Sequence, residues 1–267
     1  ASVALGYAAG LNQQGGQSIA IGRSAGEVSQ GDNTTAVGYL AGSNAQGDYG
    51  VAIGVAAGRA SQAANSVAVG TEAGSNIQGT QAVAVGYLAG CADQGASSVA
   101  IGVAAGRATQ GDNSVAVGHD AGSNAQGTQA VAVGYLAGNA DQGASSVAIG
   151  VAAGSNSQAD NSVAVGIDAA KVSQGASAVA VGNSAGKTSQ GANSVSVGIF
   201  AGFNQQGASS VAMGHSAGTN AQGAAATAVG QSAGQVSQGT HGVAIGVLAG
   251  SNAQGASSVA IGREAAA

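Results

Sequence analysis

The chain has 267 residues, 49 of them Gly, with no Pro or Trp, two Phe, 6% charged residues and a net charge of −5. The few Lys and Arg are scattered singly, so no basic stripe follows a phosphate backbone and nucleic acid is excluded as a partner. The lone Cys91 excludes an intrachain disulfide, no apolar run reaches membrane-spanning length, and the scarcity of aromatics argues against a broad globular core.

Read in chain order from Ser2, the sequence divides into sixteen complete units of sixteen residues and a truncated seventeenth, without insertion or deletion. SVAVGTEAGSNIQGTQ from Ser66, AVAVGYLAGCADQGAS from Ala82 and SVAIGVAAGRATQGDN from Ser98 are examples. Every unit must then occupy the same rise and circumference, a condition that stacked coils impose and bundles or sandwiches do not. A longer period of 48 overlies it: Tyr39-Leu40, Tyr87-Leu88 and Tyr135-Leu136 recur, with Val55, Val103 and Val151 one coil later. This reads as duplication of a three-coil cassette.

The first element of each unit, counting Ser2 as position 1, is a short strand. Positions 2 and 4 are aliphatic in nearly every unit, the exceptions being Thr35, Thr227 and Met213, and they flank an Ala at position 3. Alternation with β-branched residues predicts a strand whose positions 2 and 4 face inward and whose positions 1, 3 and 5 face outward. Position 3 is Ala in sixteen of seventeen units, Ser196 being the exception, while positions 6, 7 and 10 vary freely. A small residue held so uniformly on an outward face is expected to press against a partner. The candidate oligomer face is Ala20, Ala36, Ala52, Ala68, Ala84, Ala100, Ala116, Ala132, Ala148, Ala164 and Ala180.

Gly at position 5 in all seventeen units predicts a corner, and Ala at position 8 in all seventeen predicts an inward site on a second strand. Gly at positions 9 and 14 is expected to make the remaining bends. Position 13 is Gln in all sixteen complete coils: Gln14, Gln30, Gln46, Gln62, Gln78, Gln94, Gln110, Gln126, Gln142, Gln158, Gln174, Gln190, Gln206, Gln222, Gln238 and Gln254. At the β-spacing of about 4.8 Å these amides suit a structural ladder at the second corner. The absence of Pro agrees with a backbone whose N–H groups are nearly all ladder donors. The expected fold is all-β, a single parallel β-solenoid domain over 1–267, uncapped at both ends and cut from a longer array. Ordering sixteen residues per coil against the burial of two aliphatics leaves a lone narrow solenoid marginal.

The unit SVAIGxxA resembles the head repeat of the YadA-like trimeric autotransporter adhesins, and the likeness runs through the whole chain. That resemblance implies a left-handed parallel β-roll, a homotrimer of side-by-side rolls, and display on a cell or virion surface where it binds host cells or matrix. The family unit is commonly shorter than this one. Repeats of phage and large-virus fibre proteins look similar as well.

Chemistry is hard to place on this sequence. His119 and His215 share position 6 but lie in distant coils, and His241 stands elsewhere. Asp32, Asp48, Asp93, Asp112, Asp141 and Asp160 fall singly on turns, without the acidic ligand in every coil that a calcium-binding β-roll requires. No catalytic, metal or cofactor residues are expected, and no enzymatic activity. The sequence favours an adhesive fibre module whose outer contacts include Tyr39, Tyr87, Tyr135, Phe200 and Phe203. The alternatives are an ice-binding solenoid using a flat Ser-Ala-Gly face, and a filament subunit pairing end to end.

Overall fold

Each sixteen-residue unit folds as one turn of a parallel β-solenoid. The computed structural model describes residues 1–266, all-β and free of helix among them. The chain forms two compact units, Ala1–Val133 and Gly134–Ala267. Within each, every strand pairs with the strand sixteen residues away. In the first unit Val3 pairs Ile19, Ala4 pairs Ala20 and Leu5 pairs Ile21. In the second, Val147, Ala148 and Ile149 pair Val163, Ala164 and Val165. Like therefore stacks on like, aliphatic on aliphatic and Ala on Ala.

A coil carries two strands of three residues or fewer. The first occupies positions 2 to 4, as in Val83–Val85. The second ends on the Gln of position 13, as in Asn44–Gln46. Position 8 was expected on the second strand; it lies instead in the turn between the two. Two turns close the coil. The N–H of position 8 donates to the carbonyl of position 5 (Ala41 to Gly38, 3.4 Å), and position 1 donates to position 14 (Gly50 to Gly47, 3.1 Å). The third residue of each turn has positive φ, 56° at Leu40 and 59° at Tyr49, as a type II turn requires.

Glycine does the expected work at positions 5 and 9. Gly86 has a φ of 133°, and a Cβ there would lie 2.3 Å from the carbonyl oxygen of Gly102 in the next coil. Gly74 has a φ of 51°, and its Cβ would meet the Gln78 carboxamide. Gly at position 14 opens the second turn, where a Cβ on Gly79 would lie 2.6 Å from the Ala96 nitrogen of the next coil, while the left-handed backbone falls to ordinary residues at positions 7, 12 and 16. Leu88, Ala125 and Asn113 are examples, with φ between 53° and 56°.

The parity of the first strand is opposite to the expectation. Ala20, Ala36, Ala52, Ala68, Ala84, Ala100, Ala116, Ala132, Ala148, Ala164 and Ala180 all have 0% exposure and form the core, so they make no oligomer face. The flanking aliphatics point outward, with Ile53 and Ile101 each 40% exposed. Width explains the reversal. The bore is so narrow that a Cβ placed on Gly58 would fall 3.3 Å from the Ala52 methyl. Ala of positions 3 and 8, Ser of position 1 and the Gln amide fill it, and a β-branched chain has no room. The flat Ser-Ala-Gly face proposed for ice is likewise interior, with Ser66, Ser98 and Ser114 at 0%.

Two substitutions test this description by thermal unfolding. Ala84→Val overfills the bore and is expected to cost about 1–3 kcal/mol. Ala125→Gly, in a strand position where Gly normally destabilises, is expected to stabilise by about 0.5–1 kcal/mol because it relieves the left-handed backbone.

Candidate interaction surfaces

Three sets of side chains stand out, one inside the coil and two outside. Inside, the glutamines of position 13 lie in register: Gln30 opposite Gln46, Gln62 opposite Gln78, and Gln78 opposite Gln94 in the first unit. Gln158, Gln174 and Gln190 stack likewise in the second. They are buried side chains aimed into the bore. The Gln78 Nε2 donates to the carbonyls of Val67 (2.8 Å) and Ala82 (3.4 Å) and to the Gln94 Oε1 (3.1 Å). Gln174 repeats this with Val163, Ala178 and Gln190. These two amides thus tie the first strand of their coil to the start of the next. Ser196, the one break in the Ala column, donates to the Gln206 Oε1 at 2.5 Å, so its hydroxyl is satisfied.

In each unit the outer face of the first strands carries two aliphatic columns, at positions 2 and 4. Ile19, Ile21, Ile53 and Ile101 are exposed in the first unit, and Ile149, Met213 and Ile245 in the second. Their neighbours in the columns, such as Val67, Val69 and Val163, are half-buried. Contiguous exposed apolar surface on this scale marks a contact face. The aliphatic alternation marks these columns in the sequence, but alternation alone does not say which of its two faces is the inner one.

The variable corner is the third surface. Tyr39, Tyr87, Tyr135 and Phe200 are exposed and Phe203 is half-buried. Arg23 lies between the rings of Tyr7 and Tyr39, 5.9 and 5.8 Å from their centroids. Asp168 holds Lys171 of its own coil at 3.0 Å and Lys187 of the next at 3.2 Å. The Lys187 ammonium lies 5.5 Å from the Phe203 ring, which meets Phe200 edge-on at 5.5 Å. His215 follows, 6.4 Å from Phe200. Sequence reading missed this cluster because its members come from successive coils.

The aspartates of position 15 serve the backbone. The Oδ1 of Asp48 accepts the N–H of Asp32 at 2.9 Å, and Asp112 and Asp160 accept those of Ala96 and Ala144 at 2.8 Å. Among the described residues no group of His, Cys, Asp and Glu is placed to hold a metal. No described helix is long and apolar enough to cross a membrane.

The YadA head domain repeat, described in two copies, matches residues 29–57, 45–73, 61–89, 94–121 and 110–137. Residues 29–137 carry YadA head repeats. The coils beyond this stretch keep the same unit, with its fixed Gly at position 5 and Ala at position 8. YadA heads are parts of cell-surface adhesins, a structural and adhesive rather than enzymatic class. No curated protein matches the chain.

The charged cluster makes a pH prediction. Partial burial pushes the Asp168 carboxyl up, but hydrogen bonds and charge from Lys171 and Lys187 outweigh it and hold the group below its usual value. A depressed carboxylate stabilises the fold above its unfolded pKa and loses that contribution as pH falls through the folded one. Asp168→Asn is therefore expected to lower stability at neutral pH, by no more than about 1 kcal/mol for so exposed a pair. The difference in melting temperature between the two proteins should begin to shrink near pH 4, where the unfolded carboxyl titrates, and vanish only once the pH lies below the lowered value of the folded Asp168.

Proposed function

We propose that the chain is an adhesive module of an extracellular surface fibre and that it works as a homotrimer. The observation that carries this reading is the outward double column of Val and Ile on the first sheet. A soluble monomer rarely leaves such a face open, and the solenoid's own bore is too narrow to have buried it. Three copies turning this face to a common axis would bury what one copy cannot. The YadA repeats support the reading, since that family implies self-association and adhesion. The left-handed sense of the roll belongs to the same proposal.

The variable corner positions 6, 7 and 10 then face the host or matrix surface, with Tyr39, Tyr87, Tyr135, Phe200 and Phe203 among the contacts. Aromatic side chains on a rigid scaffold offer large contact area at small entropic cost.

Sedimentation equilibrium tests the association. A discrete trimer is expected for the wild type. The doubly substituted Ile53→Glu, Ile101→Glu chain should sediment as a monomer while keeping its β-type circular dichroism. A wild type that stays monomeric at high micromolar concentration would sink the reading, and so would a trimer indifferent to both glutamates.

A further inference from the structure

The outward side of the second strands in the second unit carries a different chemistry. A hollow of about 310 Å³ runs across three successive coils, lined by Thr188, Ser189, Asn204, Gln205, Asn220 and Ala221. Another, of about 300 Å³, is lined by Asn139, Ser155, Asn156 and Lys171 together with Leu136 and two alanines. The first follows positions 11 and 12, and the second lies between positions 10 and 11 and the turn residues of position 7; position 11 is common to both. Lys171 lines the second hollow, and Lys187 and Phe203 immediately precede Thr188 and Asn204 of the first. Within the first hollow the Asn204 Nδ2 donates to the Asn220 Oδ1 at 3.2 Å, so the amides stand in a row along the solenoid.

We propose that this track binds a linear, sparsely acidic glycan, a polysaccharide of uronic-acid type, laid along the solenoid axis. Amides and hydroxyls that both donate and accept match the paired hydroxyls of sugar rings. The coil rise of about 4.8 Å is comparable with the advance of one ring in an extended glycan, so successive coils meet successive sugars. A peptide would need apolar anchor pockets, and the walls of the first hollow are amide and hydroxyl but for Ala221, while the second sets Leu136 and two alanines beside its amides and Lys171. The exposed Phe200 and half-buried Phe203 beside the track offer aromatic faces to sugar C–H groups.

Charge sets the type of glycan. Lys171 and Lys187 are the only lysines in the chain, and they share one carboxylate, Asp168, which leaves a surplus positive charge at mid-track. Asp141 belongs to the same coil as Asn139 and opposes a densely charged polymer. The fit is to a chain with an isolated carboxylate among neutral rings. This face is separate from the aliphatic columns, so the proposal does not rest on self-association.

Isothermal titration of the full chain with a hyaluronan octasaccharide tests it, beside a heparin octasaccharide, cellohexaose and sialyllactose. Hyaluronan is expected to bind, with a shallow salt dependence. Lys171→Gln with Lys187→Gln should weaken it about tenfold, the paired arginine variant should restore it, and Phe203→Ala should weaken it too. All variants should keep the wild-type melting curve within a few degrees. The proposal is overturned if hyaluronan fails to bind at millimolar concentration, or if the double Gln variant binds it unchanged. It is equally overturned if heparin binds more tightly, which marks a general polyanion patch, or if sialyllactose matches hyaluronan, which marks a terminal-acid site.

Discussion

The width of the bore governs this protein. Only a methyl, a hydroxymethyl or a flat carboxamide fits between the two strands of a coil, as the 0% exposure of the Ala column and the 3.3 Å that a Cβ on Gly58 would leave to the Ala52 methyl show. A core of alanines buries little apolar area, so hydrophobic burial inside the coil contributes less here than in a wide domain. Hydrogen bonds between stacked coils carry correspondingly more. The buried Gln completes that arrangement, because a side chain reaching across so thin an interior meets backbone carbonyls, which an amide N–H satisfies and a hydrocarbon would not.

The same narrowness moves the aliphatics outward. Val and Ile on positions 2 and 4 have high strand propensity and stack in register on their counterparts, which rewards them even on an outer face. What they leave behind is an apolar sheet surface, and that surface links the geometry of a single coil to the association expected of YadA-type heads. The remaining outward positions, on the corners and the second strand, are free of this duty and hold nearly all the chemical variety of the chain.

Tight corners have a cost that repetition multiplies. Positions 7, 12 and 16 adopt left-handed backbone with Leu, Ser, Ala or Asn in most coils, each less favourable than Gly. Registered stacking compensates, since a corner displaced in one coil would lose its bonds to the coils on either side. Gly at position 5 is fixed for a sterner reason: its neighbour's carbonyl occupies the space a Cβ would take.

Period, strand placement at positions 2 to 4, the corner glycine, the registered glutamines and the likeness to YadA repeats were legible in the sequence because each repeats at one spacing, and stacking turns spacing directly into contact. Parity was not. Alternation states that Ala and its neighbours face opposite ways, and a shift of one residue exchanges the faces; the choice depends on how far apart the two strands of a coil lie, a distance set by both turns together. For the same reason the pattern alone cannot tell that Ala20 and its column lie inside and Ile53 outside. The cluster of Asp168, Lys171, Lys187, Phe200 and Phe203 also waited for the fold, because residues that look scattered along the chain become neighbours only when coils are laid one upon another.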